Sequence, residues 1–210
     1  MTHIAVITGD LIKSRKAPAD AIAKAMGVLN TAATQIASHD DLIKPKFTRF
    51  RGDGWQIMVT SPQYSLKYAV HLFAALRATN LNLDTRMSIG IGSVRSTGTN
   101  TLADADGDAF VLSGGNLDQI GKRRLTVARA PSGPFPGSYF AMLEDIMFGW
   151  TTAQAQAIAL ALRSPNTTQD DIAKTLGITR QAVQLRLAGA HHATIDWVLS
   201  DFAKAYLTND

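Results

Sequence analysis

The pattern of apolar and polar positions predicts a mixed first part of the chain, in which strands and helices alternate. Strands are predicted at five places: His3–Thr8 (ending at Gly9-Asp10), Lys46–Arg51, Trp55–Thr60, Arg86–Ser93 and Leu125–Ala128. Apolar residues at helical spacing and helix-start signals predict helices over Pro18–Ser38, from Ser61-Pro62 onward and over Gly107–Ile120. The order β-α-β-β-α-β followed by α-β is that of the ferredoxin-like plan with extensions, an α+β fold.

A Pro/Gly cluster, Pro131–Gly137, is predicted to interrupt regular structure, and the pattern after it is almost purely helical. Five helices are predicted there: Ser138–Phe148, Thr151–Arg163, Thr168–Leu176, Thr179–Leu187 and His191–Tyr206. We therefore divide the chain into an α+β domain (1–130), a linker with a connecting helix (131–150) and a small all-α domain (151–210).

The helical domain contains a pair of helices whose ends are well marked in the sequence. Thr168 and Asp171 have the spacing of a capping box, and Gly177 suits the turn at the end of the first helix. Thr179 caps the second helix, whose outward residues are Arg180, Gln181, Gln184 and Arg186. Arg and Gln side chains suit phosphates and base edges, so this face is a candidate DNA-binding surface. A helical hairpin with a solvated polar face is the alternative.

Residues 151–205 resemble the helix-turn-helix of the sigma-factor region-four-like and LuxR-like superfamily. The resemblance implies that Thr179, Arg180, Gln181, Gln184 and Arg186 contact double-stranded DNA. Because one such module binds weakly, a homodimer is expected.

Composition and charge narrow the function classes. Apolar residues make up 46% of the chain and charged residues 18%, which favours a folded core over disorder. The absence of cysteine excludes disulfides and thiolate chemistry. No apolar run is long enough for a membrane span, and we expect a soluble, cytoplasmic protein. Residues 151–210 carry five basic and five acidic side chains, so DNA contact there depends on local placement.

Two acids are candidate metal ligands. Asp53 stands between Gly52 and Gly54 in a predicted hairpin, where Asp-Gly is also an ordinary turn signal. Asp10 follows the first strand, which lies beside the hairpin in a ferredoxin-like sheet. Two carboxylates at one edge would repel each other unless a divalent cation lies between them. The basic residues after Asp10 (Lys13, Arg15 and Lys16), with nearby backbone N–H groups, would suit phosphates carried by that cation.

Four short motifs, ITGDLIKSR, RFRGDGWQIMV, RMSIGIGSV and DADGDAFVLSGG, occur in the order seen in class III nucleotidyl cyclases. GGDEF-type domains are more distant relatives. The arrangement resembles the SatD-like family, in which a cyclase-like domain precedes a C-terminal helix-turn-helix. The resemblance covers about residues 3–130 and implies a purine nucleotide with Mg²⁺ or Mn²⁺.

Carried over residue by residue, the resemblance assigns the metal to Asp10 and Asp53. It makes Arg49 and Asp104 the residues that read the base. The predicted nucleotide contacts beside the metal are Lys13, Ser14 and Arg15, which follow Asp10 in the chain. The alternatives are a solvent-facing strand residue for Arg49 and a loop acid for Asp104.

The cyclase pattern is broken on the predicted helix Gly107–Ile120. Cyclases place an asparagine and, four residues later, an arginine there, whereas this chain has Val111 and Gly115. Removing a preorganised group from such a transition state costs about 10²–10³-fold in rate. The sequence therefore predicts nucleotide binding with loss of cyclisation.

The sequence predicts a nucleotide-responsive, DNA-binding transcriptional regulator with a degenerate cyclase-like domain. Two other functions stay open: an active cyclase or other nucleotide-processing enzyme with a regulatory helical tail, and an interaction module that binds no nucleotide. The basic run Lys122-Arg123-Arg124 is interpreted as a solvated turn or as a further phosphate contact.

Overall fold

A computed structural model describes residues 3–40, 45–50, 52–130, 133–134 and 137–207. Within these ranges the sheet has six strands: β1 (His3–Ile12), β2 (Lys46–Phe50), β3 (Gly54–Val59), β4 (Asp84–Ser93), β5 (Leu125–Arg129) and the two-residue β6 (Gly133–Pro134). Arg51, predicted as the end of a strand, and most of the predicted break at Pro131–Gly137 lie outside the described residues.

Eight α-helices accompany the sheet in the described ranges. They are α1 (Ala19–Asp40), α2 (Ser65–Arg77), α3 (Asp108–Gln119), α4 (Gly137–Phe148), α5 (Thr152–Ala161), α6 (Gln169–Leu176), α7 (Arg180–Gly189) and α8 (His192–Leu207). Short 3-10 turns at Ser14–Lys16 and Pro62–Tyr64 follow β1 and precede α2. No helix in the described ranges combines the length and the apolar character needed to cross a membrane.

The strands lie in the order β2-β3-β1-β4-β5-β6. The first four are antiparallel neighbours, while β4 and β5 are parallel, as their connection through α3 requires. The predicted order β-α-β-β-α-β followed by α-β is confirmed, and the arrangement is compatible with a ferredoxin-like fold.

The predicted end of β1 was wrong. The strand does not stop at Gly9-Asp10 but continues to Ile12, because β4 begins two residues earlier than predicted and pairs with it as far as Ile12 opposite Asp84. Asp10 therefore lies inside a paired strand.

The two faces of the sheet are covered differently. Alternate residues of β1, such as Ala5 and Ile7, are buried in the cluster that α1 and α2 share. Helix α3 packs on the opposite face, where the Thr8 hydroxyl donates to Ser113 Oγ at 2.8 Å. Gly90 permits this close approach, because a Cβ at that position would lie 2.3 Å from the carbonyl oxygen of Ala109.

The C-terminal helices pack against α2. One cluster of buried apolar side chains runs from Ile7 through Phe73 to Ile158 and Phe202. His71 of α2 is fully buried in this region, and burial first, then the charges of Arg163 and Lys67, lower its pKa from 6.5 to about 3. The sheet and the helical part thus share a continuous core.

Arg77 links the sheet to the C-terminal helices through hydrogen bonds. Its guanidinium donates to both carboxylate oxygens of Asp84, at 2.9 and 3.0 Å. It also donates to the carbonyls of Phe148 (3.1 Å) and Trp150 (3.0 Å), where α4 gives way to α5. The start of β4 is therefore joined directly to the α4–α5 junction. The predicted division into domains stays a prediction.

The predicted helix pair in the C-terminal part is present. Thr168 and Asp171 form the capping box, and Gly177 ends α6 in the left-handed conformation (φ 65°). The Thr179 hydroxyl accepts a hydrogen bond from the Ala182 amide at 3.2 Å and so caps α7. Whether this pair binds DNA stays a prediction.

Candidate functional site

The structure brings Asp10 and Asp53 close together through backbone contacts, at the point where the pairing of β1 with β3 ends. Asp10 pairs with Gly54 across β1 and β3, directly after the turn that carries Asp53. The Leu11 amide donates to the Asp53 carbonyl at 3.1 Å, which holds the turn against β1. The strand order alone predicts this proximity.

Asp10 is already paired with a cation of the same chain. Arg86 stands opposite Asp10 in β4 and donates Nε to Oδ1 and Nη2 to Oδ2, each at 2.7 Å. These hydrogen bonds are the main reason that the pKa of Arg86 is raised. A two-point contact of this kind fixes the orientation of the carboxylate. Sequence reasoning missed it, because the two residues are 76 positions apart and meet only through strand register.

Asp53 is held by the segment that follows β1. Lys13 adopts a left-handed conformation (φ 68°), which turns the chain out of the strand. Ser14 is consequently buried, and its hydroxyl donates to Asp53 Oδ2. The structure thus assigns Ser14, predicted as a nucleotide contact, to the orientation of Asp53.

A cleft of about 920 Å³ opens over the two acids. Basic side chains from two segments line it: Lys13, Arg15 and Lys16 after β1, and Lys122, Arg123 and Arg124 before β5. With Arg86, seven cations surround two carboxylates, so the cleft carries an excess of positive charge. Such a site favours a ligand with several negative charges.

The cations of the cleft differ in their availability. Arg123 lies 3.6 Å from Glu144, and the Arg124 guanidinium lies 4.0 Å from the centre of the Phe148 ring. By contrast, Lys13, Arg15, Lys16 and Lys122 have no ion-pair partner among the described residues. These four side chains remain for a ligand.

Glu144 of α4 anchors the wall before β5. It is 8% exposed, and its Oε2 accepts the backbone amides of Arg124 (2.8 Å) and Leu125 (3.0 Å). The interpretation of Lys122-Arg123-Arg124 as a solvated turn is therefore incomplete, because this segment is both anchored and part of the cleft. The sequence did contain one indication of this position: the segment directly precedes β5, which pairs in parallel with β4, the strand that carries Arg86.

Arg49 and Asp104, predicted to read a base, do not line the cleft. Arg49 is exposed, and its Nε donates to the Gly52 carbonyl at 2.7 Å. Asp104 accepts hydrogen bonds from the hydroxyl and the amide of Thr99, which lower its pKa. Both side chains make local contacts within a turn or a loop, and their role in reading a base stays a prediction.

The outer face of α3 offers no polar group at Val111 and Gly115, the two positions at which the sequence predicts loss of the cyclase pattern. Val111 is 65% exposed, and a Cβ placed on Gly115 would meet no atom within 4 Å. Neither residue has a side chain that donates a hydrogen bond or carries charge.

The donor set fits a divalent cation only in part. In the described ranges no group of three or more His, Cys, Asp or Glu residues could hold a metal ion. Asp53 has a carboxylate oxygen that Ser14 does not engage, whereas Asp10 would have to release Arg86. A hard cation at this site would therefore take most of its oxygen ligands from water and from a phosphorylated ligand.

The outward face of α7 is accessible. Arg180, Gln181, Gln184 and Leu185 are exposed, while Arg186 is half-buried. Arg180 lies 3.8 Å from Asp170 at the start of α6, with both side chains largely in solvent. Such a pair contributes little stability, so Arg180 stays available to another anion.

Comparison with known proteins yields little. No protein-family model matches the chain, and no curated protein matches it. A solved structure, described as that of a bacterial light-regulated adenylyl cyclase, matches over 71% of this chain and 81% of its own. The two sequences are 13% identical and the TM-score is 0.38.

Proposed function

We propose that the cleft binds a nucleotide through its phosphates, together with a divalent cation such as Mg²⁺ or Mn²⁺. The observation that carries the proposal is a single cleft lined by two carboxylates, Asp10 and Asp53, and by basic side chains from two segments of the chain. Asp53 supplies a metal ligand, and Lys13, Arg15, Lys16 and Lys122 supply charge for phosphate oxygens. A cleft of about 920 Å³ is large enough for a nucleotide.

The pairing of Asp10 with Arg86 supports a chelated ligand over a metal ion alone. A free cation has to compete with a guanidinium that holds both oxygens of Asp10. When a phosphate binds together with the cation, Arg86 can exchange the Asp10 carboxylate for a phosphate oxygen and so keeps an anionic partner. Cation and nucleotide therefore bind more tightly together than separately.

The identity of the base is not determined by the cleft, because Arg49 and Asp104 lie outside it. The proposal thus covers purine and pyrimidine nucleotides, and the purine preference rests on the sequence resemblance alone. We further propose that bound nucleotide is not cyclised, since Val111 and Gly115 offer no group that could stabilise the transition state.

For the helical part we propose DNA binding through α7 by a homodimer, so that the protein acts as a nucleotide-responsive regulator. The supporting observation is the exposed face with Arg180, Gln181 and Gln184. Amide side chains can bond adenine edges, and Leu185, which is 74% exposed, can contact a thymine methyl group.

The central test is calorimetric titration of the full chain with ATP, GTP, CTP and UTP, with and without Mg²⁺ or Mn²⁺ at constant ionic strength. We expect binding to depend on the cation and to be abolished by Asp53→Asn. Lys122→Gln should weaken it several-fold, whereas Lys174→Gln, the same charge loss on α6, should leave it unchanged. Cation-independent binding that survives Asp53→Asn would overturn the proposal.

Two further assays separate the alternatives. Cyclic product formed by pure protein and lost in Asp53→Asn would support the enzyme. For DNA, sequences selected from a random duplex library should bind the wild type more tightly than Gln181→Ala or Gln184→Ala, with nucleotide affinity unchanged. Failure to select any sequence at low salt would refute the DNA-binding part.

A further inference from the structure

A second cavity, here called the interhelical cavity, lies where α1, α2, α5 and α6 meet. Its volume is about 670 Å³, within the range of small-molecule sites. It lies apart from the cleft over Asp10 and Asp53, and no lining residue is common to the two.

Short side chains create the interhelical cavity. Ala32 of α1, Ala75 and Ala78 near the end of α2, and Ala159 of α5 contribute only a methyl group each to its lining. Gly27 of α1 contributes none, and a Cβ built there would meet no atom within 4 Å. The walls are consequently largely apolar, with room left between them.

The interhelical cavity also contains an uncompensated positive charge. Arg163, just after α5, is half-buried, and its Nε is fully buried without a hydrogen-bond partner. No described residue forms an ion pair with it, and the described lining includes no acidic side chain. Lys24, the other cation of the lining, already lies 3.3 Å from Asp20. A half-buried guanidinium without an ion-pair partner is available to an anion that enters the cavity.

We propose that the interhelical cavity is a binding site for a small monocarboxylate with an apolar body, whose carboxylate pairs with Arg163. The apolar lining accommodates the body, and the part of the Arg163 guanidinium that is not buried donates to the carboxylate oxygens. One unpaired cation matches one negative charge, which favours a carboxylate over the polyanion suited to the cleft.

The position of the site between the helices would allow a bound ligand to regulate the placement of α6. Leu160 belongs to α5, and Thr175 and Leu176 belong to α6, while the opposite wall belongs to α1 and α2. A ligand would therefore contact both the sheet-bound helices and the helix that precedes α7. A bound ligand stabilises the position of α6 in which α6 and the helices of the opposite wall both contact the ligand.

The test uses octanoate as the probe and 1-octanol as its uncharged counterpart, titrated into the full chain by NMR and calorimetry. The ring signals of His71 report on the region, because the charge of Arg163 acts on this imidazole. We expect saturable octanoate binding that shifts these signals. Arg163→Gln should weaken octanoate about 10- to 100-fold, the usual range for a lost charged hydrogen bond, and leave octanol unaffected.

Two further variants complete the design. Gly27→Leu should fill the cavity and abolish binding of both probes, while its thermal stability verifies that it is folded. Lys174→Gln, an equal charge loss outside the cavity, should bind like the wild type. Octanoate binding that is unchanged in Arg163→Gln and Gly27→Leu would show adsorption elsewhere and overturn the proposal. Absence of saturable binding by octanoate and by 3-phenylpropanoate would overturn it equally.

Discussion

Glu144 offers the most direct test of how the cleft wall is anchored to the helical part. The substitution Glu144→Ala removes the acceptor of two backbone amides, those of Arg124 and Leu125, and leaves the Leu125 amide buried without a partner. It also removes the negative charge 3.6 Å from Arg123. We therefore expect a loss of stability and a more mobile wall.

The magnitude follows from the two amide contacts. A hydrogen bond to a charged group contributes about 1.5–3 kcal/mol, so the loss of two predicts destabilisation by about 3 kcal/mol or more. Glu144→Gln retains one neutral oxygen acceptor, and about half of that loss is expected. With a urea m value of about 2 kcal/mol per M, the midpoint of unfolding for Glu144→Ala falls by about 1.5 M.

The assay is urea unfolding followed by circular dichroism, with Asp145→Ala as the matched control. Asp145 is the neighbouring acid on α4 and is exposed. Its loss should change the free energy of unfolding by less than about 0.5 kcal/mol. If Glu144→Ala lies within about 1 kcal/mol of this control at an equal m value, the anchoring argument is wrong.

Three other predictions concern substitutions at single positions. Because the pKa of His71 is lowered from 6.5 to about 3, this group should reduce the free energy of unfolding as the pH falls from about 6.5, by up to about 1.4 kcal/mol per pH unit. His71→Leu should lose this slope in pH-dependent denaturation. Arg86→Gln should tighten the binding of Mn²⁺ without nucleotide by roughly tenfold, because a nearby unit charge costs a divalent ion about 1 kcal/mol or more. The affinity is measured by electron paramagnetic resonance. An unchanged affinity would contradict the competition between Arg86 and the cation for Asp10. Gly27→Ala should raise thermal stability by about 0.5–1 kcal/mol, while Gly177→Ala, equally free of clashes but at φ 65°, should lower it by about 1 kcal/mol. The same sign for both glycine variants would refute the conformational argument.

The sequence was sufficient where local chemistry decides the structure. Thr168, Asp171 and Gly177 mark the ends of α6, and each has the predicted role because caps and left-handed turns depend on neighbouring residues. The strand order likewise followed from the pattern of elements, and with it the proximity of Asp10 and Asp53.

Contacts that depend on strand register and on packing could not be predicted in this way. The pairing of Arg86 with Asp10 requires β4 to begin at Asp84, and one apolar pattern is compatible with several starting points. The anchoring of Arg124 by Glu144 depends on where α4 packs, which no periodicity in the sequence encodes. The isolation of Arg163 could not be predicted either, since it depends on which residues of four separate helices line the cavity, and the described lining includes no acid.

The position of α2 has a consequence for how the chain folds during synthesis. Phe73 is covered by Phe148 and Trp150, with ring centres 4.6 and 6.0 Å away, and the same cluster extends to Phe202. Roughly 130 residues separate Phe73 from Phe202, and at about 5–20 residues per second their synthesis takes about 6–26 s. Until Phe148, Trp150 and Phe202 have been synthesised, the part of α2 that packs against them lacks these partners on the ribosome. Chaperone supply and growth temperature should therefore govern the soluble yield of the full chain.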